Sequence, residues 1–258
     1  LALGVLLYLP FYLGFRSQAG GIGLVGDIKT RLHQYLIMLG ILLFGVVGWL
    51  VQAFVAYRAQ PAVERQLPLL AKGVGIAALL ALIVSALSSW WTAALAIALV
   101  GSAAILLVWG SVVVETKRKE REMRAHPSVQ FALIVTIAGV LLTLAVEFVF
   151  LRDTFNNRMN TVFKFYYQAW VLLGIAAAFG AFQVLHRWNA ARRVGRAAIA
   201  LWSAIGAVLV LAGLGYTVPA AISKAEGFQR TPTLDGTAYI RQYRPHDYEA
   251  IQWLRRNA

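Results

Sequence analysis

Residues 147–170 carry the side chains with the greatest potential for chemistry in this sequence. The stretch holds two carboxylates, Glu147 and Asp153, and two cations, Arg158 and Lys164, among amides and aromatic rings. An arginine presents a planar fork of N–H donors and a lysine presents a point charge, and both suit a phosphate group. A carboxylate at membrane depth is neutral, paired or in contact with a wet cavity. The stretch therefore predicts either a ligand site or a structural salt-bridge network between the two carboxylates and the two cations.

Four further residues extend this candidate site along the chain, namely Asn160, Tyr167, Gln168 and Trp170. Asn160 and Lys164 are four residues apart, so a helix places them on one face. Tyr167 and Trp170 suit stacking against a sugar ring or a lipid, and they equally suit the aromatic belt of a membrane interface.

Long apolar segments must position these residues. The chain has 258 residues, of which 60% are hydrophobic, against about 45–50% apolar residues in soluble domains. Apolar runs near 20 residues predict an all-α fold, a polytopic transmembrane bundle of about seven spans. We place the spans at 1–15, 34–57, 69–88, 92–114, 129–150, 166–186 and 197–219. The first run is short, so we expect it to be the end of a truncated span.

The formal net charge of +13 comes mostly from Lys and Arg that flank apolar runs, so it indicates topology and argues against nucleic-acid binding. Twelve Lys and Arg lie in one set of loops and six in the other. The positive-inside rule then places residues 151–165 and the C-terminal tail outside the cytoplasm. We predict an integral, multi-pass plasma-membrane protein in contact with the lipid bilayer. Its transmembrane domain covers 1–219, and 220–258 begins an extracytoplasmic soluble segment.

Other features of the sequence narrow the possibilities. There is no cysteine, and the four histidines lie in separate loops, so neither thiolate chemistry nor a histidine metal site is indicated. The glycine-rich segment 16–33 predicts a flexible loop. Because the sequence lacks an initial Met and ends within a predicted helix, we expect further parts of the same longer chain.

Residues 158–170, Arg-Met-Asn-Thr-Val-Phe-Lys-Phe-Tyr-Tyr-Gln-Ala-Trp, resemble the signature of the DUF2298 membrane proteins, also called YYY membrane proteins. Leu9-Pro10-Phe11-Tyr12 and residues 247–254 fit the same pattern. Members of that family resemble GT-C enzymes, which are polytopic glycosyltransferases that use polyprenyl-phosphate sugars.

The resemblance implies a GT-C-like glycosyltransferase that transfers a sugar from a polyprenyl-phosphate donor on the extracytoplasmic face. It implies that Arg158 and Lys164 bind the donor phosphate, in a substrate site shared with Asn160, Tyr167, Gln168 and Trp170. The candidate catalytic residues are Asp153, as a divalent-metal ligand or second acid, and Glu147, which would orient the cations. The principal catalytic acid of such enzymes would precede residue 1. The alternatives are a lipid-linked substrate transporter or flippase, and a non-catalytic membrane scaffold.

Overall fold

The protein was analysed as a computed structural model that describes residues 2–14, 20–26, 28–58, 69–116, 127–188, 191–229 and 233–257. The helices are α1 (Ala2–Gly14), α2 (Leu32–Arg58), α3 (Leu69–Leu87), α4 (Trp91–Thr116), α5 (Pro127–Ala145), α6 (Met159–His186), α7 (Arg193–Gly215), α8 (Thr217–Lys224), α9 (Thr237–Tyr243) and α10 (Pro245–Asn257). A short 3₁₀ helix covers Glu226–Phe228, and the strands are β1 (Ile22–Leu24) and β2 (Val149–Leu151). The chain divides into two compact units, Leu1–Gly206 and Ala207–Ala258.

Six helical segments of the described chain are long and apolar enough to cross a membrane. They are Leu32–Ala56, Leu69–Leu87, Trp91–Trp109, Pro127–Ala145, Met159–His186 and Arg193–Lys224. Each corresponds to one of the predicted spans after the first, which confirms the all-α, polytopic membrane bundle. Helix α1 has 13 residues, which agrees with the short first span.

Three helix ends differ from the predicted ones. Helix α5 ends at Ala145 instead of residue 150, because the chain turns there and continues as β2. Helix α6 begins at Met159 instead of residue 166, because the Asn157 side-chain oxygen accepts a hydrogen bond of 2.9 Å from the Met159 N–H. Arg158 is the N-cap residue and makes no side-chain capping bond, so the Asn157 bond satisfies one of the N–H donors that the first turn leaves unpaired. Pro219 does not end the last span, since it occupies the first turn of α8, where proline is tolerated.

Within the described part of the glycine-rich segment, Ile22–Leu24 form strand β1 instead of a flexible loop, and residues 16–19 and 27 lie outside the described residues. Strand β1 pairs with β2 in antiparallel register, with Gly23 opposite Phe150. A Cβ at Gly23 would lie 2.5 Å from the Phe150 ring, so only glycine lets that ring cover the strand. Arg152 continues the ladder, since its N–H donates to Gly21 at 2.8 Å and its carbonyl accepts from Gly20 at 2.7 Å. Residues 20–25 are thereby fixed against the segment that follows α5.

The core of the first unit lies where α2 packs against α6. Tyr35, Leu39 and Leu173 are fully buried there. Small residues allow the two backbones to approach closely. A Cβ at Gly180 would lie 2.8 Å from the carbonyl oxygen of Gly45, so the two glycines set the distance between α2 and α6. This contact holds the second half of α6 close to the middle of α2.

We expect Gly180→Ala to lower the melting temperature of the detergent-purified protein, because the new methyl group would separate α2 from α6. Overpacking of this kind costs about 1–3 kcal/mol. The matched control is Gly174→Ala on the same helix, since no heavy atom lies within 4 Å of the Cβ position at Gly174. An unchanged melting temperature for Gly180→Ala would contradict the close packing of these helices.

Candidate functional site

Glu147 is a fully buried carboxylate in the turn that follows α5. Its Oε2 accepts a hydrogen bond of 3.0 Å from the Thr30 backbone N–H, and its Oε1 accepts one from the Thr30 hydroxyl. Oε1 also lies 3.0 Å from NH1 of Arg158, which forms an ion pair with it. An unpaired charge at such a position would cost several kcal/mol. The three donors therefore compensate the buried carboxylate of Glu147 inside the bundle.

Arg158 points into the protein from the residue before α6. Its NH1 donates to Glu147 and also to the Val146 carbonyl at 3.1 Å. Its NH2 donates to the Thr30 hydroxyl at 3.2 Å. The side chain is 15% exposed. Both terminal nitrogens of the guanidinium are therefore engaged with protein acceptors, and Arg158 acts as the partner of the buried carboxylate.

Lys29 ties a third part of the chain to this network. Its Nζ donates to the backbone carbonyl of Glu147 at 2.8 Å and to that of Val25 at 3.2 Å. The same ammonium lies 3.9 Å from the centroid of the Trp90 ring, a distance typical of a cation–π contact. Trp90 in turn packs against Phe148, with ring centroids 4.9 Å apart. The loop between α3 and α4 is thereby joined to the segments around β1 and β2.

Asp153 and Asn160 form a second polar pair, nearer the surface. The Asn160 amide donates to Asp153 Oδ2 at 2.6 Å, and the Phe155 N–H donates to Oδ1 at 3.0 Å. The Asn160 hydrogen bond, followed by those from the backbone, holds the pKa of Asp153 below its ordinary value of 3.8. The resulting stabilisation is present above the unfolded-state pKa and is lost as the pH falls through the lowered folded-state pKa. Asp153 is therefore ionised at neutral pH.

The remaining candidate residues lie on the outward side of α6. Lys164, Tyr167, Gln168 and Trp170 are exposed. Lys164 makes no hydrogen bond or ion pair with the part of the chain that the structure describes. Lys164 follows Asn160 by four residues, and Tyr167 and Gln168 follow Lys164 by three and four, so these side chains neighbour one another along one face. The structure brings Glu147 together with Arg158 and Asp153 together with Asn160, and it leaves Lys164 outside both pairs.

Four residues of the network were missed from sequence, namely Lys29, Thr30, Trp90 and Thr92. The Thr92 hydroxyl donates to the Thr30 carbonyl at 2.7 Å, which connects α4 to the same point. Glu147 itself was a usable signal for such partners, because a buried carboxylate needs several hydrogen-bond donors. Lys29 and Thr30 lie just before α2 and were among several polar residues near that end of the bundle. Among the described residues, no cluster of three His, Asp or Glu forms a ready metal site, so metal binding by Asp153 stays a prediction.

These features define a polytopic membrane protein with a buried ion-pair network at one end of its helical bundle. The sequence model of the family DUF2298, described as an uncharacterized membrane protein, matches residues 1–173. The match covers about two thirds of the chain, so the protein belongs to the DUF2298 family. The matched region includes all of residues 147–170, here called the central stretch, and their hydrogen-bond partners Lys29 and Thr30. Comparisons with curated proteins and with solved structures found no match.

We expect Arg158→Met to lower the free energy of unfolding by about 3–5 kcal/mol, because it leaves the Glu147 carboxylate buried without its positive partner. Lys164→Met is the matched control, and the exposure of Lys164 predicts a change within about 0.5 kcal/mol. Unfolding in mixed micelles would measure both. A small effect of Arg158→Met, equal to that of the control, would show that the ion pair does not hold this end of the bundle together.

Proposed function

We propose that this chain is the membrane-embedded part of a glycosyltransferase that takes a sugar from a polyprenyl-phosphate donor. Two facts support the proposal. Residues 158–170 resemble the family signature and lie within the matched region. Within the central stretch, Glu147 and Arg158 form a buried ion pair. Asp153, Asn160 and Lys164 are polar groups nearer the surface. This separation carries the proposal, because a buried ion pair beside a small set of half-buried and exposed polar groups suits ligand binding.

In this proposal Lys164 binds the donor phosphate. Its ammonium is exposed and has no protein partner in the described chain, so its positive charge is available to a bound anion. Asn160 lies one turn earlier and uses one amide N–H on Asp153, which leaves a second N–H for the ligand. Tyr167 and Trp170 offer ring faces for a sugar or an isoprenoid chain. Arg158 takes the role of a positioning residue, because its donors already serve Glu147, Thr30 and Val146.

The proposed reaction is an inverting displacement. The acceptor hydroxyl oxygen bonds to the anomeric carbon while the bond from that carbon to the phosphate oxygen breaks. A base takes the hydroxyl proton, and the polyprenyl phosphate leaves with the electron pair. Lys164 stabilises the charge that develops on the departing phosphate. Asp153 is ionised at neutral pH and orients the acceptor or holds a divalent cation.

Turnover of a short-chain polyprenyl-phosphate sugar by the full-length protein tests this function. We expect Lys164→Ala to weaken donor binding by about 1–3 kcal/mol, the scale of a charge-assisted hydrogen bond. The control is Lys72→Ala, an exposed lysine in α3, which should leave donor binding unchanged. Movement of the lipid across proteoliposomes without sugar transfer would favour the transporter, and neither turnover nor movement would favour the scaffold.

The proposal also places the central stretch on the extracytoplasmic face, which the loop charges predict. Because the chain has no native cysteine, single cysteines can be introduced without background. We expect a membrane-impermeant thiol reagent to label cysteines at positions 89 and 157 from outside intact cells, and not one at position 125. Labelling of position 125 alone would reverse the orientation and remove an extracytoplasmic donor from the proposal.

A further inference from the structure

A groove with a volume of about 540 Å³ lies between α2, the end of α6 and the start of α7. Its walls are mainly apolar and include Phe44, Val47, Val51, Val184, Ile199 and Trp202. Helices α2 and α6 both begin beside the Glu147–Arg158 pair. Because the groove is formed by the second half of α2 and the last turns of α6, it lies towards the opposite end of the bundle from the candidate site.

Gly48 determines the shape of this groove. The Trp202 indole stacks on the Phe44 ring, with centroids 5.2 Å apart and planes 8° from parallel. A Cβ at Gly48 would lie 2.3 Å from Nε1 of that indole, so any larger residue would displace it. The Gln52 amide donates to the Gln183 carbonyl at 3.2 Å and ties α2 to α6 beside the groove. The groove is therefore held open by specific contacts between its helices.

The surroundings of the groove indicate a hydrocarbon ligand. The three helices that form it all belong to segments that can cross a membrane, so its apolar part opens towards lipid. A cavity of this size falls within the range of about 300–1,000 Å³ that is usual for small-molecule sites. A hydrocarbon chain is the abundant ligand at that depth, and the aliphatic and aromatic walls match it.

The charges at one end of the groove indicate an anionic head group. Arg187 lines the groove, and three more arginines, Arg192, Arg193 and Arg196, follow at the start of α7. Arg187, Arg192 and Arg193 form no ion pair within the part of the chain that the structure describes, whereas Arg196 is already engaged, since its Nε donates to the Ala191 carbonyl at 3.1 Å. A guanidinium pairs well with a phosphate through two parallel N–H donors. Basic pockets between membrane helices are known binding places for anionic head groups.

We propose that this groove is a binding site for an anionic membrane phospholipid. One acyl chain lies along α2 and α7 between Val51 and Trp202, and the phosphate contacts Arg187, the arginine that lines the groove. The site is independent of the proposed sugar transfer, because it uses other residues towards the other end of the bundle. A polyprenyl phosphate shares the same general chemistry, so the experiment includes it as a separate arm.

Native mass spectrometry of the full-length protein in neutral detergent can count bound lipid. The probes are dioleoyl phosphatidylglycerol, dioleoyl phosphatidylcholine and a short-chain polyprenyl phosphate. We expect phosphatidylglycerol to bind most tightly. The change Arg187→Gln should weaken it at least about tenfold, the equivalent of one lost charge-assisted contact. Lys72→Gln, which removes a cation outside the groove lining, should not.

A second pair of variants tests the apolar part of the site. Val51→Trp should fill the groove and weaken phosphatidylglycerol to a similar extent, without repacking the core, because Val51 is 57% exposed. Ile37→Trp is the control on the same helix, since Ile37 is exposed and does not line the groove. Melting temperatures check that each variant is folded. Unchanged binding to Val51→Trp, equal binding of both phospholipids, tighter binding of polyprenyl phosphate, or no binding at all would each overturn the proposal.

Discussion

The buried carboxylate of Glu147 is the constraint on which this end of the protein depends. Its charge must be compensated inside a membrane bundle, and the compensation comes from the Arg158 guanidinium and from both the N–H and the hydroxyl of Thr30. Lys29 binds the Glu147 carbonyl and extends the network to the Trp90 ring. One buried charge therefore joins segments that lie before α2, between α3 and α4, after α5 and before α6.

This arrangement explains why irregular backbone is stable at the end of the bundle. Strands β1 and β2 have three residues each, too few to be stable alone, so the ion pair beside them and the hydrogen bonds from Lys29 to Val25 and Glu147 must hold them in place. Replacing a buried ion pair with apolar residues is often neutral for stability. We therefore infer that the main role of the ion pair is to select one arrangement of the segments around it. The arrangement directs Arg158 inwards and leaves Lys164 directed outwards.

The bundle was predictable because apolar runs near 20 residues have few other interpretations. The sequence also predicted that the polar side chains of residues 147–170 form either a ligand site or a salt-bridge network. The Glu147–Arg158 pair belongs to the second interpretation. The need of Glu147 for hydrogen-bond donors was predictable. The identity of Lys29 and Thr30 as those donors was not, since they lie 118 and 117 residues from Glu147 and contacts at that separation leave no periodic pattern. Asp153 was paired with a cation in the predicted network, yet its partner is the amide of Asn160, which the turn before α6 brings within 2.6 Å.

The most direct test of this account is a double-mutant cycle on Glu147→Gln and Arg158→Gln, with the free energy of unfolding measured in mixed micelles. Each single change leaves one member of a buried pair without its partner, whereas the double change removes both charges. We expect the double variant to lose less free energy of unfolding than the sum of the losses in the two single variants, by a coupling energy of about 1–3 kcal/mol. Single effects that add to within about 0.5 kcal/mol would contradict it, because the two side chains would then contribute independently.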